Sequence, residues 1–279
     1  MNNTVKSGAK NMRERKVFHG KRARFLYELM GKAFKKAEHW RFMNYGYAFD
    51  NEPDNPVLEA ADEAERYCAQ LYHMVASQAD LTGKRLLDVG SGRGGGASHV
   101  HRYLKPAETV GMDLASSAVA LCERIFAGVE GLSYQQGDSM EMPFENSSFD
   151  AVMNVESSHC YPDLGMFLSE VHRVLVPGGS FLYTDFTPSG SDGPAELEKS
   201  LTALAKAGFE EVTSTNITNN VVRGLELDEE RRTSEIRKNF PFGTRRFARL
   251  WAGTTDSWIY EDFKNGSREY VVFHAKRPV

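Results

Sequence analysis

The side chains most suited to acid–base chemistry lie close together near the middle of the chain. Glu156, His159 and Tyr161 follow the apolar run 149–155, which is predicted to be a strand. An imidazole titrates near neutral pH, so His159 could accept a proton from a hydroxyl group that attacks an electrophile. His159 could instead only order its loop by hydrogen bonding, and Glu156 could fix the same loop. These three residues are the candidate catalytic residues.

A second stretch has the features of a nucleotide site. Residues 85–96 read RLLDVGSGRGGG, a short apolar strand that runs into a glycine-rich turn. Glycines at 90, 92 and 94 permit backbone angles that other residues resist, and they leave space for a ligand. The helix expected from about Ala97 would point its free N–H groups at the same place. The turn satisfies G-x-G-x-x-G, which is typical of dinucleotide sites, and also D-x-G-x-G-x-G, which is typical of S-adenosylmethionine (SAM) sites.

The elements that must position these residues alternate between strand and helix. Strands are predicted at 85–89, 109–114, 132–136, 149–155, 180–185, 209–217 and 269–275. Helices are predicted at 59–79, 96–104, 164–175 and 194–207, at 116–127 with Ser116 or Ser117 as N-cap, and in the helical sequence 218–239 and 247–253. This order predicts an α/β fold, with a Rossmann-like, seven-stranded, mostly parallel sheet and helices on both faces. Ligands of such sheets bind at the carboxyl ends of the strands.

Two acidic residues lie where predicted strands end. Asp113 ends the second strand, where a carboxylate can accept hydrogen bonds from both hydroxyls of a ribose. This suits NAD and SAM equally, so Asp113 does not separate the two nucleotides. Asp138 follows the third strand and could accept a hydrogen bond from an adenine amino group, with Met140 against the ring. An Asx turn would explain Asp138 equally well.

Three motifs together resemble those of the class I SAM-dependent methyltransferases. They are DVGSGRG at 88–94, GDSMEMPF at 137–144 with SFDAV at 148–152, and EVHRVLVPGG at 170–179. The resemblance covers about residues 57–186 and the last strand. Within the family, VESSHCYPD at 155–163 and FMNYGY at 42–47 resemble the branch that methylates lipid-like secondary metabolites, such as mycobacterial phthiotriol and phenolphthiotriol lipids. The resemblance implies SAM as cofactor, S-adenosylhomocysteine as product and no metal.

The resemblance also implies which positions bind the cofactor. The glycine turn would pass beneath the methionine part of SAM, Asp113 would hold the ribose, and Asn154 would contact the sulfonium end. Leu114 would pack on the adenine, and Asp138 with Ser139 would bind its edge. The expected cofactor-binding residues are Asp88, Gly90, Ser91, Gly92, Asp113, Leu114, Asp138, Ser139 and Asn154.

Two aromatic-rich segments flank the predicted core. Residues 39–50 carry five rings and form either a loop anchored by buried rings or a lid over a ligand. Residues 218–262 are inserted before the last strand, and their apolar side chains either line a substrate pocket or form ordinary core. We therefore expect an N-terminal helix and aromatic lid at 1–56, a SAM-binding core at 57–217, a helical substrate cap at 218–262, and a last strand at 263–279. The candidate substrate-binding residues are Trp40, Tyr45, Tyr47 and Trp251.

Composition excludes several classes of partner. The 279 residues are 41% apolar with a net charge of −4, which gives no reason to expect nucleic acid. No apolar run is long enough for a membrane span, so no stable membrane insertion is expected. Three cysteines lie far apart, which favours a reducing cytoplasm. The basic amphipathic helix predicted at 22–38 could join copies of the chain into a homo-oligomer.

Four functions remain open from the sequence. The first is an O-methyltransferase that acts on a hydroxyl of a hydrophobic, polyketide-like or lipid-like small molecule. The second is a C-methyltransferase that acts on an isoprenoid or other alkene, with aromatic rings stabilising a carbocation. The third is a SAM-binding protein that does not methylate, such as a scaffold or a cyclase. The fourth is a dinucleotide-dependent oxidoreductase.

Overall fold

The computed structural model describes residues 39–279, so the helix predicted at 22–38 lies outside the described residues. The described residues form two compact units. The core unit consists of residues 41–228 and 262–279, and the helical unit consists of residues 229–261 with His39 and Trp40. Within residues 39–279, no helix combines the length and the apolar character that a membrane span requires.

Seven strands and nine α-helices are present in this part of the chain. The strands are β1 Arg85–Val89, β2 Glu108–Asp113, β3 Leu132–Gln136, β4 Phe149–Val155, β5 Leu175–Phe186, β6 Glu210–Asn216 and β7 Tyr270–Lys276. The helices are α1 Arg66–Ala76, α2 Gly95–Leu104, α3 Ser116–Ile125, α4 Leu164–Val174, α5 Gly193–Lys206, α6 Thr218–Leu227, α7 Glu229–Asn239, α8 Phe242–Trp251 and α9 Trp258–Lys264.

The strands form one sheet in the order β3-β2-β1-β4-β5-β7-β6. Only β7 runs against its neighbours, pairing antiparallel with β5 and with β6, while the remaining pairs are parallel. The central strands β1 and β4 are buried on both faces because helices cover the sheet on each side. This confirms the predicted Rossmann-like, mostly parallel sheet of seven strands.

The helical unit has an aromatic core of its own. Ile236, Phe240, Ala248 and Ala252 are buried with Trp40, whose ring meets that of Phe240 edge-on at a centroid distance of 6.4 Å. Helices are therefore inserted between β6 and β7, as predicted. The helical sequence predicted at 218–239 forms two helices, since α6 ends at Leu227 and α7 begins at Glu229.

The helix predicted at 59–79 was too long at its N-terminal end. Helix α1 begins only at Arg66, after a 3₁₀ turn at Glu63–Glu65. Two acidic residues of this stretch, Asp62 and Glu65, point into the protein rather than into solvent. Glu65 is buried and accepts the backbone N–H of Arg41 at 3.0 Å, and buried Asp62 accepts from Arg102 at 2.7 Å. These hydrogen bonds to residues distant in sequence fix the position of the segment that precedes α1.

Other elements also differ from the sequence prediction. Ser116 is the first residue of α3 rather than its cap, and Ala115 is the N-cap without a side-chain hydrogen bond. Strand β5 begins at Leu175, before Pro177, because Leu175 already pairs with Phe149 ahead of a register shift. Helix α9 was not predicted at all.

We expect Gly96→Ala to lower the free energy of unfolding by about 1–3 kcal/mol, because a Cβ at this position of α2 would overlap the ring of buried Tyr72. Gly243→Ala in α8 is the matched control: a Cβ there meets no atom within 4 Å, so stability should be unchanged or rise by up to about 1 kcal/mol. Urea unfolding followed by circular dichroism measures both. Equal effects of the two changes would contradict this account of Gly96.

Candidate functional site

The glycine turn after β1 is held against the next strand by its backbone. Gly90, Gly92 and Gly94 have positive φ angles of 74°, 55° and 78°. The N–H groups of Gly90 and Ser91 donate to the Met112 carbonyl at 2.8 and 3.0 Å. A Cβ on Gly90 would press on the Ser157 hydroxyl, so glycine is required there by space as well as by its backbone angle. The turn therefore presents backbone at the carboxyl end of the sheet.

Asp113 and Leu114 lie beside this turn. The N–H of Gly92 donates to Asp113 Oδ2, and that of Ala115 donates to Oδ1, both at 2.9 Å. Each carboxylate oxygen keeps a further lone pair for a ribose hydroxyl. The Leu114 side chain is 66% exposed although it is apolar, which gives an uncovered surface for a flat ring. This combination fits an adenosine group.

Met43 is a neighbour of this surface that the sequence analysis did not identify as a site residue. Its Sδ atom lies 3.7 Å from the position that a Cβ on Gly92 would occupy, and the residue is 45% exposed. Arg41, two residues earlier, accepts the N–H of Gly95 at 3.1 Å. Hence the start of the aromatic segment lies against the glycine turn and the first residue of α2. The only sequence signal was the position of Met43 within the ring-rich stretch 39–50.

Asp138 and Ser139 lie beyond β3. Asp138 is exposed, and its Oδ1 accepts the N–H of Met140 at 2.8 Å, which is an Asx turn. Asp138 therefore has the turn-forming role, and its exposed side chain leaves direct contact with an adenine a prediction. Ser139 is buried next to it.

Two predicted cofactor residues are completely buried. Asn154 Nδ2 lies 2.9 Å from the Val89 carbonyl and 2.7 Å from Ser157 Oγ. This side chain therefore links the start of the glycine turn to the loop after β4. Neither carboxyl oxygen of Asp88 has a hydrogen-bond partner within residues 39–279. Burial, and then the charge of Asp113, raise the pKa of Asp88 well above its ordinary value, which favours the neutral acid. Direct contact of either side chain with a cofactor stays a prediction.

His159 is paired with a carboxylate that the sequence analysis missed. Its Nδ1 lies 2.9 Å from Asp185 Oδ1, and its backbone N–H donates to Asp185 Oδ2 at 2.9 Å. The ring packs on Phe186 at 4.5 Å, and the side chain remains 34% exposed. Because Nδ1 is occupied, Nε2 is the ring nitrogen available to a reacting group. Asp185 is near the end of β5, so the rule of reading strand ends would have found it.

Charge on Asp185 controls the protonation of His159. Burial alone would lower the pKa of His159, but the charge and the hydrogen bond of Asp185 outweigh it and hold that pKa above its ordinary range. The imidazole is therefore a stronger base than a free histidine, and a larger fraction is protonated at neutral pH.

Glu156 directly follows β4 with a φ angle of 49°, an unfavourable backbone conformation for a glutamate. Its Oε1 accepts the Tyr45 N–H and the Tyr270 hydroxyl, both at 2.7 Å. Burial raises the pKa of Glu156 to about 7, although both hydrogen bonds oppose this. Tyr161, by contrast, turns toward the glycine turn, with its hydroxyl 2.9 Å from Ser157 Oγ. Burial raises the pKa of Tyr161, so it does not ionise near neutral pH.

The four predicted substrate residues occupy different surroundings. Tyr45 packs against Phe186 at 5.6 Å, which places it in the same aromatic cluster as His159. Tyr47 is buried edge-on to Phe49 at 4.9 Å. Trp40 is buried in the core of the helical unit, and Trp251 packs on that core. Of the four, Tyr45 is the one that the structure brings to the His159 region of the core unit.

We expect Glu156 to contribute stability that is present below pH 4.5 and is lost as pH rises to about 7, because the fold accommodates the neutral side chain better than its anion. The raised pKa corresponds to roughly 3 kcal/mol of stability present below this range and lost above it. Glu156→Gln keeps an acceptor for both donors and does not titrate, so its stability should rise relative to that of the wild type over the same range. Urea unfolding at a series of pH values measures this. Exposed Glu52→Gln is the control, and parallel curves for wild type and Glu156→Gln would contradict the prediction.

Comparison with known proteins agrees with this geometry. A family model described as "Methyltransferase domain" matches residues 87–183. The fatty-acid O-methyltransferase of Mycolicibacterium smegmatis is 41% identical over 237 residues, which cover 85% of this chain and 83% of that protein. The probable phthiotriol/phenolphthiotriol dimycocerosates methyltransferase 2 of Mycobacterium ulcerans is 39% identical over 232 residues, covering 83% and 87%.

The crystal structure of the cyclase SpnF superposes with a TM-score of 0.67 at 21% identity, covering 91% of this chain and 94% of that one. At this identity the similarity shows a shared fold alone. The two sequence relatives, in contrast, are similar over most of their length. They show that the chain belongs to the class I SAM-dependent methyltransferases and takes its methyl group from SAM.

Proposed function

We propose that this methyltransferase transfers its methyl group to a hydroxyl oxygen of a hydrophobic, lipid-like small molecule. The observation that carries the proposal is the His159–Asp185 pair, whose imidazole packs on the ring of Phe186, which in turn packs against Tyr45. The names of the relatives support a lipid-like acceptor, since one is a fatty-acid O-methyltransferase, which names oxygen as the acceptor atom, and another is a probable phthiotriol/phenolphthiotriol dimycocerosates methyltransferase.

The residues at the ends of β1, β2 and β3 would hold SAM. Asp113 has lone pairs for the ribose hydroxyls, and the exposed side chains of Leu114 and Met43 provide apolar surface for the adenine. Asp138 and Ser139 would bind the adenine edge. SAM supplies an electrophilic methyl group on a positively charged sulfur. The protein must then align the acceptor oxygen within about 3–3.5 Å of that methyl and exclude water.

A hydroxyl acceptor must lose its proton as its oxygen attacks the methyl group. His159 Nε2 would accept that proton, and Asp185 would stabilise the imidazolium that forms. Only the unprotonated ring can act as base, and Asp185 raises the pKa of His159. Turnover with a hydroxyl acceptor should therefore continue to rise at pH values well above 6.5, where a free imidazole would already be mostly unprotonated.

The aromatic segment would exclude water from the acceptor. Its backbone is tied at Arg41 to Gly95 of α2 and at Tyr45 to Glu156 beyond β4. The segment therefore extends from the glycine turn to the candidate catalytic residues. A segment that covers both the cofactor and the acceptor must span this distance. That Trp251 binds the substrate, and that residues 22–38 join copies of the chain, are further proposals.

C-methylation of an isoprenoid or alkene is the second candidate function. Tyr45, Phe186 and Phe263 form a cluster with centroid distances of 5.5–6.1 Å, and such rings can stabilise a carbocation. However, the Arg268 guanidinium already lies 4.8 Å from the Phe186 centroid and 5.8 Å from that of Phe263. This cation opposes a carbocation at the same rings, whereas a positive His159 on Phe186 is balanced by its ion pair with Asp185, so the observation favours O-methylation.

The direct test offers methyl-labelled SAM with four acceptors of similar length: a long-chain alcohol, an alkyl phenol, a fatty acid and an isoprenoid. We expect a methoxy carbon on the alcohol or the phenol, detected by mass spectrometry and carbon NMR. If only the fatty acid is methylated, giving a methyl ester, the acceptor is a carboxylate and the proposed hydroxyl acceptor is wrong. A methyl group on carbon would overturn O-methylation and support the second candidate.

Two substitutions separate chemistry from cofactor binding. His159→Gln should lower turnover of a hydroxyl acceptor by about 10²–10⁴-fold, because it removes the base, and should leave the Kd for SAM within about twofold. Asp113→Ala should weaken SAM binding by roughly 10–100-fold, because the ribose loses charge-assisted hydrogen bonds. Steady-state kinetics and calorimetry with S-adenosylhomocysteine measure these effects. Unchanged turnover in His159→Gln would remove His159 from the mechanism.

A further inference from the structure

Besides His159, a second side chain donates to the Asp185 carboxylate, and a tyrosine stands behind it in the same hydrogen-bonded chain. The Ser158 hydroxyl donates to Asp185 Oδ2 at 2.6 Å, and the Tyr183 hydroxyl lies 2.8 Å from Ser158 Oγ. All three residues are buried. Because Ser158 has one hydroxyl proton, which it gives to the carboxylate, Tyr183 must be the donor to Ser158. The protons therefore point in one direction, from Tyr183 through Ser158 to Asp185.

Asp185 thus accepts hydrogen bonds at both oxygens. Oδ2 takes the Ser158 hydroxyl and the backbone N–H of His159, while Oδ1 takes His159 Nδ1 and the backbone N–H of Phe186 at 2.9 Å. A buried carboxylate with this many donors is held as an anion. The negative charge of Asp185 therefore interacts both with the His159 imidazole and with the Ser158 hydroxyl, to which Tyr183 donates.

We propose that Ser158 and Tyr183 are positioning residues for methyl transfer, which draw negative charge of Asp185 away from His159 so that the imidazole releases its proton closer to neutral pH. The inference rests on the proposed role of His159 as base. A hydrogen bond to Asp185 is strongest when no imidazolium balances the carboxylate charge. The Tyr183–Ser158 pair therefore stabilises the state with a neutral, proton-accepting His159.

Other ionisable groups surround the His159–Asp185 pair, and the variants described below leave them unchanged. Glu156 and Tyr161 follow β4 on the same loop, Cys160 is adjacent in sequence, and Tyr270 comes from β7. The guanidinium of Arg268 lies over Phe186, the ring on which His159 packs.

The test titrates the full chain by NMR with carbon-labelled histidine, where the His159 signal is the one that His159→Gln lacks. We expect Ser158→Ala to raise the pH at which His159 titrates by about half to one unit, a three- to tenfold change in proton affinity. Tyr183→Phe should give a smaller shift in the same direction. The double variant should match Ser158→Ala, because Tyr183 acts only through Ser158.

Matched controls remove similar hydrogen bonds elsewhere in the core unit. Ser189→Ala deletes a serine–carboxylate hydrogen bond to Asp262, and Tyr103→Phe deletes a tyrosine–carboxylate hydrogen bond to Asp62. Neither should move the His159 titration. Ser158→Thr retains a hydroxyl donor and should restore the wild-type midpoint. If Ser158→Ala does not fold, the comparison of Tyr183→Phe with Tyr103→Phe decides, because each removes a single hydroxyl.

The outcomes separate this inference from the proposed function. An unchanged or lower midpoint in Ser158→Ala, or additive shifts in the double variant, would overturn the inference. If Ser158→Ala shifts the midpoint as expected while His159→Gln leaves turnover unchanged, the inference about Ser158 and Tyr183 is supported and the proposed role of His159 as base is wrong. If both hold, the rising limb of the kcat profile moves to higher pH in Ser158→Ala, whereas KM for SAM stays unchanged.

Discussion

Carboxylates at the ends of neighbouring strands are the constraint around which this site is built. Asp113 ends β2, Glu156 follows β4, and Asp185 lies near the end of β5, so a parallel sheet brings all three to one edge. Acids in a region shielded from water must be neutralised, hydrogen-bonded or paired with a cation. Each of the three is satisfied differently, and the differences define the parts of the site.

Asp113 is satisfied by two backbone N–H groups and keeps its outer lone pairs. Asp185 is satisfied by a cationic partner and buried hydroxyls, which hold its charge in place. Glu156 accepts from a backbone N–H and a tyrosine hydroxyl, and burial shifts it toward the neutral form despite the charge of His159. Three chemically similar groups therefore have three different properties at neutral pH: a surface for hydroxyl groups, a fixed anion beside an imidazole, and a weak acid.

Glu156 also connects elements that are distant in sequence. Its Oε1 joins Tyr45 of the aromatic segment to Tyr270 of β7, and its own N–H donates to the Thr184 carbonyl of β5 at 3.0 Å. The strained backbone at Glu156 is maintained because these contacts together over-determine its conformation. The antiparallel strand β7 thus contributes Tyr270 to the sheet edge that carries the candidate catalytic residues, as well as completing the sheet.

Local patterns in the sequence were enough for the alternation of strands and helices, the glycine turn and the strand-end position of Asp113. These features depend on periodicity and on spacing within about ten residues, which a single chain displays directly. Only the tertiary structure revealed that Glu65 turns inward to hold Arg41, that Met43 lies on Gly92, and that Asp185 pairs with His159. The partners in each case are more than twenty residues apart, and no local spacing records which side chains meet. Burial and hydrogen bonding across elements, rather than propensity, decided those contacts.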